Sequence, residues 1–126
     1  MACSRAQGPI ARHPYLCADD SFTSVVQPII KTGRALMKGY AEILQKAGVQ
    51  AQVVGDAPMF DVVFTAREVT DYRSAMGDEA KLKRCNQLLR ERGILKGESK
   101  YYISLAHTEA DVALTLDAFA ASIAGL

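Results

Sequence analysis

Nucleophilic or metal chemistry has little to draw on in this chain, which holds two histidines, His13 and His107, and three cysteines, Cys3, Cys17 and Cys85. His13 and Cys17 could form a Cys–His pair, and with Cys3 a zinc site, since thiolate and imidazole are the donors zinc prefers. All three lie in an aperiodic segment with no paired C-x-x-C element to support them. No catalytic and no metal-ligating residue is therefore expected. Asp19 and Asp20 are adjacent, so as a carboxylate pair they would point apart. Lys81, Lys83, Arg84, Arg90 and Arg92 form a basic run on a predicted helix whose apolar side is already committed, which reads as a solvated face. Nucleic acid would need aromatic stacking platforms beside that run, and it has none. There is no G-x-x-x-x-G-K loop and no G-x-G-x-x-G turn; Gly93-Ile-Leu-Lys-Gly97 is spaced for a helix stop and a hairpin rather than a phosphate cradle. His107 precedes the N-cap of the last predicted helix, where it is expected to fix the angle at which the chain enters that helix rather than to hold a ligand.

These residues must be positioned by a single small domain. The chain has 126 residues, 49% hydrophobic and 23% charged, enough for one core without a disulfide or metal staple. Fifteen basic and fourteen acidic residues leave a net charge of +1, which argues against a dedicated nucleic-acid or anionic-membrane binder. No stretch approaches the roughly 20 apolar residues of a transmembrane helix, and the N-terminus has no apolar core for a signal peptide. An odd number of unpaired-looking cysteines suits a reducing compartment. The expected location is the cytoplasm.

Residues 1–23 are aperiodic and broken by Gly8, Pro9 and Pro14, so they read as a tail ahead of a domain spanning residues 24–126. Ser24-Val-Val-Gln27 has capping-box spacing, with Pro28 in the first turn, and predicts a helix start there. Ile29, Ile30, Leu36, Met37, Tyr40, Ile43 and Leu44 then recur at helical spacing, with Gly33 on the same stripe, up to a stop at Gly48. Val49, Ala51 and Val53, and then Phe60, Val62 and Phe64, alternate as two antiparallel strands joined by the turn Gly55–Pro58. Residues 66–77 carry no clear period and read as a connection. Asp78 caps a second helix that turns Leu82, Cys85, Leu88 and Leu89 inward and stops at Gly93. Ile94-Leu95 is a candidate short strand, and Tyr101, Ile103 and Leu105 alternate as a further one. Thr108-Glu-Ala-Asp111 opens the last helix, with Val112, Leu116, Phe119 and Ile123 on its inner side. The order α-β-β-α-(β)-β-α, with no repeated βαβ unit, predicts an α+β fold: a small, mainly antiparallel sheet of three or four strands covered by about three helices.

The string Tyr101–Asp111, YYISLAHTEAD, resembles the C-terminal signature of class III pyridoxal-phosphate aminotransferases, especially the glutamate semialdehyde aminomutase branch. There a strand ending in S-L-A-H-T runs into the last helix. Thr32-Gly-Arg34 with Leu36-Met37, Gly48-Val49, Pro58-Met59-Phe60 with Phe64-Thr65, and Leu88-Leu89 with Gly93-Ile-Leu95 extend the resemblance over roughly residues 27–126. The resemblance implies the small C-terminal domain of a two-part enzyme, with Ser104, His107 and Thr108 as the family signature. In that family the Schiff-base lysine, the carboxylate facing the pyridine nitrogen and the phosphate-binding amides belong to a large domain. None of Lys31, Lys38, Lys46, Lys81, Lys83, Lys96 and Lys100 lies in the family's lysine motif. Many class III members carry a substrate-binding arginine where this chain has Tyr101-Tyr-Ile-Ser104, and its absence resembles the aminomutase branch. The expectation is thus a free-standing small-domain homologue, not catalytic alone and with no cofactor or cofactor-binding residue of its own. The surface a large domain would cover is then expected to be met by a homodimer or a partner protein, acting in trans. The alternative is an α+β interaction module that self-associates through its sheet face or an exposed edge strand.

Overall fold

The computed structural model describes residues 20–126. Three helices and three strands follow in the order α1 (Asp20–Ala47), β1 (Gln52–Asp56), β2 (Met59–Val63), α2 (Glu79–Glu91), β3 (Lys100–Tyr102) and α3 (Glu109–Ala124). The sheet is antiparallel with β2 in the centre, so β1 and β3 are both edges. This is the α+β architecture expected from the sequence.

Helix α1 begins at Asp20, earlier than the capping-box spacing at Ser24 predicts. Ser24 and Gln27 therefore lie inside the helix, and Pro28 sits in its third turn, where it removes one N–H from the ladder. The tail expected over residues 1–23 lies outside the described residues up to 19, and residues 20–23 are the first turn of α1. The other end follows the sequence closely. Gly48 takes a positive φ of 68°, its N–H donates to the Gln45 carbonyl, and the Val49 N–H donates to the Leu44 carbonyl, a Schellman closure. Gly93, with φ of 84°, ends α2 in the same way through Gly93 N–H to Arg90 and Ile94 N–H to Leu89.

That second closure explains why Ile94-Leu95 forms no strand. Ile94 finishes the helix end, and the next residues run past the sheet without pairing, leaving Leu95 87% exposed. The β1–β2 hairpin is also tighter than the expected turn: Asp56 pairs with Met59, so only Ala57 and Pro58 form the loop. Strand β3 stops at Tyr102. Ile103 adds one bond to the Pro58 carbonyl, and Leu105, expected to alternate inward, is more than half exposed in a turn.

Every element contributes to one core. Leu36, Tyr40 and Leu44 of α1 meet Phe60 and Val62 of β2, Tyr101 of β3, Cys85 and Leu89 of α2, and Phe119 and Ile123 of α3. At its centre the Tyr40 ring stacks on Phe119 at 3.8 Å and meets Tyr101 edge-on at 5.1 Å, while Phe60 stacks on Tyr101 at 5.0 Å. Such geometries add to the burial of the rings themselves. No described helix is long and apolar enough to cross a membrane.

Candidate functional site

The segment that carries the signature residues folds into a self-capped turn. Thr108 is the N-cap of α3: its hydroxyl accepts from the Asp111 N–H, and the Asp111 carboxylate accepts from the Thr108 N–H at 2.7 Å, a complete capping box. These bonds hold the Asp111 carboxyl below the usual carboxylate range, with the backbone donor contributing most. Just before it, the His107 N–H donates to the Ser104 carbonyl, and the Ser104 N–H donates back to His107 Nδ1 at 3.0 Å. Ser104, His107 and Thr108 are thus brought together. An Nδ1 that accepts an N–H carries no proton, so the neutral ring holds its proton on Nε2. Ser104 Oγ lies 3.5 Å from Nδ1 and accepts instead from the Ala106 N–H. The serine is therefore not activated as a nucleophile, because the acceptor it would need is already taken.

His107 and Asp111 line one wall of an open cleft of about 500 Å³ between α3, β3 and the 94–97 segment. Leu36, Ile94, Leu95, Tyr102, Ile103 and Val112 contribute its apolar lining, and Thr115 a hydroxyl. Lys96 also lines it. Its Nζ donates to the carbonyls of Gly97, Glu98 and Ser99 at 3.0, 3.3 and 3.2 Å and lies 4.7 Å from the centre of the Tyr101 ring. Burial lowers the Lys96 pKa, while Asp61 and Cys85 pull it the other way. Asp61 is pushed up, mainly by its own burial, against the Val62 N–H and the charges of Lys96 and Lys100. A lysine followed by Gly-Glu-Ser, a turn its own amine can staple, is the only cue the sequence offered, and it is a weak one.

The remaining sequence candidates separate cleanly. Cys3, His13, Cys17 and Asp19 lie outside the described residues. Among the described residues, no group of three or more His, Cys, Asp or Glu side chains could hold a metal ion. Cys85 is buried in the core, and burial pushes its thiol up to about 11. Lys81, Lys83, Arg84, Arg90 and Arg92 are all exposed, as a solvated face requires.

No protein-family profile matches the chain. Curated glutamate-1-semialdehyde 2,1-aminomutases do. The one from Methanosphaera stadtmanae is 33% identical over 92 residues, covering 70% of this chain and 22% of its own length. Its counterpart from Nitratidesulfovibrio vulgaris is 39% identical over 88 residues, covering 67% and 21%. The chain thus spans about a fifth of the length of the curated relatives it matches. Among solved structures, an omega-transaminase from Sphaerobacter thermophilus superposes with a TM-score of 0.65 at 26% identity, over 76% of this chain and 23% of that one. A β-phenylalanine aminotransferase from Variovorax paradoxus shares the fold at a TM-score of 0.72 and 21% identity, covering 78% and 23%. Over this shared stretch, the chain belongs to the class III pyridoxal-phosphate aminotransferases, on the glutamate semialdehyde aminomutase side, and corresponds to their small C-terminal domain.

Proposed function

We propose that the 126-residue chain supplies the small-domain part of a pyridoxal-phosphate aminotransferase or aminomutase and is not catalytic alone. The observation that carries this reading is the coverage: aminomutase relatives match some 70% of the chain with only about a fifth of their own length. The chemistry of the residues supports it. Pyridoxal phosphate brings an electron sink and requires a free lysine, a carboxylate for its ring nitrogen and amides for its phosphate. Lys96 is the lysine on the cleft wall, and all three of its donors are engaged by backbone carbonyls. Asp111 is engaged by Thr108. The residues of this cleft do not by themselves fit the cofactor.

The missing groups would come from a large domain, joined in cis or bound in trans, in the cytosol. Leu95, Tyr102 and Leu105 support a covered surface here: each is more than half exposed beside the open edge of β3. That same surface favours a second reading, self-association as a homodimer. A pyridoxal-phosphate titration of the purified chain with borohydride trapping tests the first reading. Scattered or absent lysine labelling is expected, and a single saturable adduct would overturn it. Sedimentation of the chain alone tests the second, with a monomer at all concentrations as the contrary result.

A further inference from the structure

We draw no further inference here: the strongest candidate, the outward face of α3 on which Ala113, Leu114, Ala120, Ala121 and Ala124 are exposed with Asp117 the only charged residue between them, is a stripe of mostly small side chains, and nothing in the structure shows what covers it.

Discussion

Gly33 sits where α1 crosses the hairpin loop, and a Cβ built there would meet the Ala57 Cβ at 2.8 Å and its Cα at 3.1 Å. Alanine would gain about 1 kcal/mol of helix propensity at this position. It would also force apart a helix and a backbone loop, a cost of roughly 1–3 kcal/mol for overpacking. Backbone cannot swing aside, so the clash should win: Gly33→Ala is expected to lose up to about 2 kcal/mol net, read from the urea midpoint. Gly39 is the control, because there the obstacle is the end of the Leu116 side chain, which is only partly buried and can rotate. Gly39→Ala should cost clearly less than Gly33→Ala, and equal losses would show that the contact with the loop is not the cause. Cys85 makes a second point at this scale. It is 2% exposed with its thiol pushed up to about 11, so the reactive thiolate is scarce and shielded. Alkylation followed by peptide mass should leave Cys85 unmodified in the native chain and label it once urea unfolds the core; native labelling at the rate of a free thiol would contradict the buried placement.

At the scale of elements, the capping box of α3 joins sequence to stability most directly. Thr108→Ala removes a hydroxyl that accepts from the Asp111 N–H and should cost about 1 kcal/mol, measured by thermal or chemical unfolding. Acid should dissolve the same box. The Asp111 carboxyl is held below its unfolded value, so its contribution is present above that value and is lost as pH falls through the lowered one. Asp111→Asn should remove this part of the acid sensitivity, and an unchanged acid profile would count against it. This box was legible in the sequence because T-x-x-D, Asp78 and the two terminal glycines act locally: each closes its own turn whatever packs above it. Capping spacing at Ser24 misleads for the complementary reason, since S-x-x-Q describes a helix start only when the preceding residues are not helical, and they are. Ile94-Leu95 has strand-like residues but lies between a helix closure and a turn, with no strand offered to pair with. The candidate site divides the same way. The Ser104–Asp111 turn and the Lys96 cage follow from sequence-local bonds, whereas the cleft exists only once α3 and β3 are brought together.

On the scale of the whole molecule, a single core ties α1, the sheet, α2 and α3 together, and two buried tyrosines at its centre make that coupling measurable. Tyr40 is fully buried, its hydroxyl makes no hydrogen bond, and burial raises its pKa far above the ordinary 10.0; Tyr101, 7% exposed, is raised for the same leading reason. The Tyr101 hydroxyl is near enough to ease the Tyr40 shift slightly without completing a bond in good geometry. Because both folded values lie above the unfolded value, the stability they contribute is complete below about pH 10 and declines as pH rises beyond it. In that window the unfolded chain releases protons that the folded chain keeps, and each tyrosine should remove about 1.4 kcal/mol per pH unit. Urea unfolding at a series of alkaline pH values is therefore expected to steepen above about pH 10. Tyr40→Phe should roughly halve the tyrosine part of that slope and, having deleted an unsatisfied buried hydroxyl, leave neutral-pH stability unchanged or raised by up to about 1 kcal/mol. If all the helices and strands share the core as the ring stacking indicates, helical and aromatic signals will be lost together at every pH. Separate transitions, or a slope that Tyr40→Phe does not change, would mean that α1 and β3 do not meet through these two rings.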